Sequence, residues 1–244
     1  MRKYGLIGKS LDHSFSKKYF DELFSRDGSG NTFELFSLEN ISDFPSLLKS
    51  EPALKGLAVT IPYKESVMQY LDRLDESALL TGAVNCISIG QQLAGYNTDV
   101  TGFEESFKPL LEAHHSGALI FGSGGASKAA QFVLNKLPIP FMLVSRDQQK
   151  GISYNSIDAD LLSKYPVLIN CTPAGMYPAI HETLPIPFHL ISNRNLLFDM
   201  VYNPAETLFL KEGKSRGAKT ENGLKMLYIQ AEANLAIWEG RDKF

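Results

Sequence analysis

A short apolar run, Gly117 to Phe121, passes directly into Gly122-Ser123-Gly124-Gly125-Ala126-Ser127, and a helical pattern to Lys136 follows. A glycine-rich turn set between a strand and a helix is the context in which a dinucleotide pyrophosphate is held. Gly122 allows the tight turn, Gly124 lets the backbone approach the pyrophosphate, and the helix N-terminal amides face its negative charge. Ser127 takes the third fingerprint position in place of glycine and is still small. Gly122, Ser123, Gly124, Gly125 and Ala126 are therefore the first candidate cofactor ligands.

The next strand bears on which dinucleotide is bound. A cofactor without a 2′-phosphate wants an acidic residue at that strand's end, whereas a guanidinium there suits a phosphate. Here the strand Phe141 to Val144 runs into Ser145-Arg146, with Lys150 close behind. Ser145, Arg146 and Lys150 thus point to NADP. Asp147 is the competing signal, since a slip of one or two residues would set it on the ribose, and a solvated surface charge is the lesser reading of Arg146.

Strand-like runs alternate with helical patterns on both sides of this turn. Lys3 to Ile7, Thr32 to Phe36 and Gly56 to Thr60 read as strands. A polar loop covers Gly8 to Ser16, and helices are expected over Lys17 to Ser25, over Ile41 to Ser50 and from Glu65. Beyond Asp99, strands are expected at Gly117 to Phe121, Phe141 to Val144, Val167 to Asn170 and Asn195 to Asp199, with helices over Ser127 to Lys136 and Gly223 to Trp238. Strand, helix, strand is the grammar of parallel sheets covered on both faces. A chain of 244 residues holds one to two domains, and the boundary is placed near residue 99.

Composition removes several function classes. With 27 acidic and 24 basic residues the net charge is -3, which leaves no electrostatic footprint for nucleic acid or an acidic membrane. No apolar run approaches the ~18 residues of a membrane span, and the opening M-R-K-Y-G-L-I-G has no apolar stretch long enough for a signal peptide. Two cysteines, Cys86 and Cys171, make no disulfide framework and suit a reducing cytoplasm as small apolar packers. No metal-ligand spacing is visible, so no metal is expected.

Two further segments hold chemistry. In G-L-A-V-T-I-P-Y-K-E, Gly56 to Glu65, Lys64 lies just past a strand end, at the sheet edge where α/β proteins place ligands. In G-Y-N-T-D-V-T-G-F, Gly95 to Phe103, Asn97 and Asp99 sit at the domain junction, where an Asx turn and helix capping explain them as well as a ligand would.

Taken together, these segments resemble the shikimate dehydrogenase family nearly end to end. The motifs run in order: G-K-S-L-D-H-S-F-S, V-T-I-P-Y-K, G-A-V-N-C-I, G-Y-N-T-D-V-T-G-F, G-S-G-G-A-S, I-N-C-T-P-A-G-M, D-M-V-Y-N-P and N-G-L-K-M-L-Y-I-Q-A. The resemblance implies a two-lobed α/β fold. Residues 1–98 would form a substrate-binding and catalytic domain and 99–222 a Rossmann-type, doubly wound NADP-binding domain. Residues 223–244 would form a C-terminal helix returning to the first domain, which sets Gln230 beside Lys64. It implies a cytoplasmic enzyme of aromatic amino-acid biosynthesis that interconverts 3-dehydroshikimate and shikimate with NADP, as a monomer or homodimer.

Residue by residue, the resemblance implies Lys64 and Asp99 as the catalytic pair. Ser14 and Ser16 would hold the substrate carboxylate with Tyr202 nearby, and Thr60, Asn85 and Gln230 the hydroxyl groups. Met200 and Gly223 would lie near the nicotinamide, and His13 would anchor its loop. The chain departs from the family pattern at Ser10 and Lys17 (prolines), Ala58 (asparagine), Ser145-Arg146-Asp147 (asparagine-arginine-threonine) and Lys225 (glycine). It is also short for the family, so the helix after Lys150 is abbreviated within Gly151 to Tyr165. The alternatives are a quinate/shikimate dehydrogenase with relaxed NAD/NADP use, a reductase of related fold, and a non-catalytic ligand-sensing paralogue.

Overall fold

The computed structural model describes residues 1–11 and 14–241; His13, and with it the expected loop anchor, lies outside them. The chain forms two compact units, Met1–Thr98 with Ala231–Phe244, and Asp99–Gln230.

The first unit is built on a six-stranded sheet. Its elements in chain order are β1 (Lys3–Gly8), α1 (Phe15–Asp27), β2 (Thr32–Ser37), α2 (Phe44–Ser50), β3 (Leu54–Val59), β4 (Arg73–Leu74), α3 (Glu76–Thr81), β5 (Cys86–Ile89) and β6 (Leu93–Tyr96). The order across the sheet is β2-β1-β3-β5-β6-β4. β1, β2 and β3 are parallel, but β5 runs antiparallel to both β3 and β6. The sheet is therefore mixed and not all parallel. The hairpin β5–β6 escapes a pattern reading because Ser88 and Gly95 interrupt its short apolar runs and neither strand alternates cleanly in polarity.

Alternate side chains serve opposite faces, as the period of a strand requires. Tyr4, Leu6, Ala58 and Cys86 join one cluster with Phe20 and Phe24 of α1. Ile7, Leu57, Val59 and Ile87 join another with Phe44 and Val67. The C-terminal helix closes the first cluster through Ala231, Leu235 and Trp238. Trp238 stacks on Tyr4 with ring centroids 5.0 Å apart and donates Nε1–H to the Ile87 carbonyl at 3.0 Å. A Cβ on Gly56 would lie 2.1 Å from this indole, so only glycine lets the tryptophan seat there.

The second unit holds α4 (Thr98–Phe107), whose first residue belongs to the first unit, then β7 (Ala118–Phe121), α5 (Gly125–Lys136), β8 (Phe141–Val144), α6 (Ala159–Lys164), β9 (Val167–Asn170), β10 (Leu196–Asp199), α7 (Leu208–Ser215), β11 (Lys219–Glu221) and α8 (Leu224–Trp238). α8 continues into the first unit from Ala231. All five strands are parallel, in the order β11-β10-β9-β7-β8. Phe103, Val133, Ile120 and Phe198 pack on one face and Leu119, Leu162, Leu197 and Phe209 on the other, which makes the sheet doubly wound.

Several expected elements differ. The helix expected at Lys17 begins at Phe15, which puts Ser16 in its first turn and not in a loop. The segment after Glu65 is a 3₁₀ turn, Ser66–Tyr70, and Ile41–Asp43 is 3₁₀ before α2 begins. Helix is scarce between β8 and β9: α6 has six residues, preceded by a 3₁₀ turn at Tyr154–Ser156.

Candidate active site

In the first unit, the predicted substrate residues gather at one rim of the sheet. Ser14 and Ser16 follow the carboxyl end of β1, and Thr60 and Lys64 follow that of the adjacent parallel strand β3. Asn85 precedes β5, and the antiparallel register brings its carbonyl to the Val59 amide at 2.8 Å. Gly8 permits the closeness of the first two segments, since a Cβ there would lie 2.6 Å from Thr60 Cγ2. Ser14 is the N-cap of α1, and among the described residues its hydroxyl makes no capping bond to that helix.

Backbone bonds hold Lys64 in place. Its carbonyl accepts from the Val84 amide at 2.7 Å, and the preceding Tyr63 donates its hydroxyl to the Leu38 carbonyl at 2.6 Å. The lysine itself is half-buried. Asn85 is buried, and its carboxamide oxygen accepts from Thr98 N at 2.7 Å, which fixes the direction of the amide. The Thr98 hydroxyl reaches Asn234 Oδ1 at 2.6 Å on the C-terminal helix. Asn97, which pattern reading left open, is a brace for the turn before Asn85. Its Nδ2 donates to Thr81 Oγ1 and to the Ala83 carbonyl, both at 2.9 Å.

The second unit holds Asp99, Tyr202 and Gln230. Asp99 is buried in the first turn of α4, one turn before Gly102 on the same face. A Cβ on Gly102 would lie 3.2 Å from Gln230 Cβ, so the bare glycine lets α4 and α8 approach where that glutamine sits.

The glycine turn occupies the switch point of the parallel sheet. After β8 the chain crosses back over β7 to β9, so the carboxyl ends of β7 and β9 diverge into a crevice, the usual ligand position in such sheets. Gly122 follows β7 at φ 101°, a left-handed conformation that favours glycine. Gly124 is different. Its φ is -86°, and an added Cβ would meet no heavy atom within 4 Å. Neither conformation nor packing demands glycine there, which leaves the close approach of a ligand to the uncapped amides of the twelve-residue α5. Buried Ser127 supplies the small residue needed where the helix meets the sheet. These residues fit a dinucleotide pyrophosphate.

After β8, Ser145 is buried and its hydroxyl accepts from the Asp147 amide at 3.1 Å. Asp147 is turned into its own loop: Oδ1 accepts from the Gln149 amide at 3.0 Å and Oδ2 pairs with Lys150 at 3.7 Å. Arg146 is exposed and acts electrostatically on Tyr154, whose ring stacks on Phe121 at the base of the glycine turn. Met200 and Gly223, both expected near a nicotinamide, are in contact. A Cβ on Gly223 would lie 2.2 Å from the Met200 carbonyl oxygen.

Pattern reading missed the polar groups that end β9 and β10. Asn170 and Asp199 are fully buried and joined by an Nδ2–H to Oδ1 bond of 2.9 Å. Burial pushes the Asp199 carboxyl up to about 6, against the hydrogen bonds from Thr207, Val201 and Asn170 that lower it. Burial, and then the neighbouring Asp199, raise the Cys171 thiol far above its ordinary range, which removes it from nucleophilic chemistry. The signal was present in the sequence: V-L-I-N and L-L-F-D are apolar runs that each end on a polar residue. Among the described residues no cluster of three His, Cys, Asp or Glu side chains could hold a metal, and no helix is long and apolar enough to cross a membrane.

Known proteins resemble the whole chain. Residues 6–87 match a family described as shikimate dehydrogenase substrate binding domain. A shikimate dehydrogenase (NADP(+)) of Clostridium beijerinckii is 38% identical, with 98% of this chain and 92% of that protein covered. The crystal structure of shikimate 5-dehydrogenase from Thermus thermophilus, in complex with NADP(H) and shikimate, superposes with a TM-score of 0.87 at 27% identity, covering 98% of this chain and 94% of that one. A quinate dehydrogenase from Corynebacterium glutamicum in complex with NAD gives a TM-score of 0.88 at 25% identity over 98% and 94%.

Proposed function

The chain belongs to the shikimate dehydrogenase family, and from that premise we propose that it reduces 3-dehydroshikimate reversibly to shikimate with NADPH. What supports this most is Gly124: a glycine that neither backbone conformation nor packing requires, set over the switch point of a parallel sheet. When bound, NADPH supplies a hydride to the ring ketone.

The protein's own groups do the rest. Lys64, held past β3 by its carbonyl bond to Val84, would stabilise the developing alkoxide as an ammonium and then donate its proton. Asp99 is the carboxylate we assign as the second member of the catalytic pair. Ser14 and Ser16 would anchor the substrate carboxylate with Tyr202, and Thr60, Asn85 and Gln230 would bind ring hydroxyls. The exposed Arg146 would meet the 2′-phosphate, beside an Asp147 that is bonded within its own loop and paired with Lys150. The enzyme would work in the cytoplasm, as a monomer or homodimer.

The direct test follows NADPH oxidation spectrophotometrically with 3-dehydroshikimate. Turnover is expected, and its absence from a purified protein that binds both ligands would favour a sensing role. The likeness to an NAD-bound quinate dehydrogenase favours one second reading. Comparing kcat/KM for quinate and shikimate with both cofactors separates the two, and a native preference for NAD would overturn the NADP reading.

A further inference from the structure

The fully buried Asp199 ends β10, beside the loop after β9 that forms one wall of the crevice at the switch point. Oδ1 accepts from Asn170 Nδ2 at 2.9 Å and from the Val201 amide at 3.0 Å, and Oδ2 accepts from the Thr207 hydroxyl at 2.6 Å. The donor directions are fixed by what each partner does with its other atoms. Asn170 Oδ1 accepts from both Thr172 N at 2.9 Å and Thr172 Oγ1 at 2.7 Å, so its NH₂ end must face Asp199. The Thr207 oxygen accepts from the Leu210 amide at 3.4 Å as N-cap of α7, so its proton goes to the carboxylate.

Each partner belongs to a different part of the crevice. Through Asn170 the carboxylate holds Thr172, whose Cγ2 lies 3.0 Å from where a Cβ on Gly122 would sit, directly against the glycine turn. Through Val201 it holds the turn that presents the Met200 carbonyl to Gly223. Through Thr207 it meets the loop after β9 again, since a Cβ on Gly175 would lie 3.2 Å from Thr207 Cβ. A buried carboxylate surrounded by donors is costly to keep, and a buried apolar pair would stabilise the fold at least as well. What an anion adds is a single fixed geometry for three segments at once.

We infer that Asp199 is a positioning residue for the dinucleotide: its carboxylate sets the loop after β9 and the turn after β10 at the spacing that the nicotinamide end of the cofactor requires. This rests on the cofactor reading given above. The role is one of position, because Asp199 is wholly buried and its oxygens are turned to its own neighbours.

The test is the affinity of the purified protein for NADPH, followed by fluorescence titration without substrate, together with the KM for shikimate at saturating cofactor. In Asp199→Asn, the carboxylate is lost with little change of shape. The NADPH Kd should rise about tenfold or more, as expected for losing charge-assisted bonds in a buried network, while the shikimate KM, tied to the same turn only through Tyr202, rises clearly less. Asp199→Glu, which restores the charge but not its position, should not rescue binding. If Asp199→Asn does not fold, Thr172→Val decides, because it removes the hydroxyl bond to Asn170 and leaves the backbone bond and the carboxylate pairing in place; a rise of about threefold in Kd is expected. An unchanged Kd in whichever variant folds, or equal losses for cofactor and shikimate, overturns the inference. Failure of the wild-type protein to bind NADPH at all would instead overturn the cofactor reading.

Discussion

At the scale of single residues, the proposed chemistry rests on Lys64. Lys64→Ala should lower kcat by about a hundredfold, the usual contribution of a positioned acid–base group. The KM for shikimate should change far less, since the hydroxyls assigned to the carboxylate remain. Steady-state kinetics at saturating NADPH measure both, and near-normal turnover would remove Lys64 from the mechanism. Asp199 makes a separate prediction about pH. Its folded carboxyl titrates at about 6, above the ordinary 3.8, so the folded state binds this proton more tightly than the unfolded chain does. Its contribution to stability is therefore largest in acid and falls as pH rises from about 4 to about 7, by about 3 kcal/mol. The melting temperature of the wild type relative to Asp199→Asn should decline across that window. A flat difference would show that the carboxyl titrates as an ordinary acid.

At the scale of elements, the turn between β7 and α5 separates what a glycine does for the fold from what it does for a ligand. Gly122 sits at φ 101° with the Cys171 carbonyl oxygen 3.3 Å from a would-be Cβ, so Gly122→Ala should destabilise the protein by about 1 kcal/mol or more. Gly124→Ala faces open space at an ordinary φ and should leave stability within about 0.5 kcal/mol. That same variant should raise the KM for NADPH, because its methyl group stands where the pyrophosphate would approach. Thermal unfolding and cofactor kinetics on the two variants give the comparison. A normal KM in Gly124→Ala would place the dinucleotide elsewhere.

At the scale of the whole molecule, each of two units has its own core; the residues assigned to the cofactor all lie in the second, and those assigned to the substrate come from both. NADP⁺ at about a hundred times its Kd should add about 2.7 kcal/mol to the unit that binds it. Hydrogen exchange should show that protection in residues 122–126 and 145–150, whereas shikimate alone should protect 60–64 and 84–85. Protection of only the second set by NADP⁺ would overturn this placement of the cofactor.

Much of this was legible in the chain itself. A strand that runs into Gly122 to Ser127 and then a helix has few structural meanings, because glycine turns, amide dipoles and apolar runs are local properties. The strands β8 and β9 were readable to the residue, as short apolar runs bounded by polar turns. The eight ordered motifs named the family for the same reason: each is a short contiguous segment. Local pattern could not supply what depends on register and on long-range pairing. Nothing in C-I-S-I or L-A-G-Y fixes an antiparallel hairpin, yet it is the antiparallel pairing of β5 with β3 that brings Asn85 to the rim beside Thr60. Ser16 looked like a loop residue until the helix was seen to begin at Phe15. Asp147 is as readable on a ribose, and only the fold of its loop pairs its oxygens with the Gln149 amide and Lys150. Asp199 lies 29 residues from Asn170, and only tertiary structure could bury the pair side by side, because it is the parallel pairing of β9 with β10 that aligns their last residues.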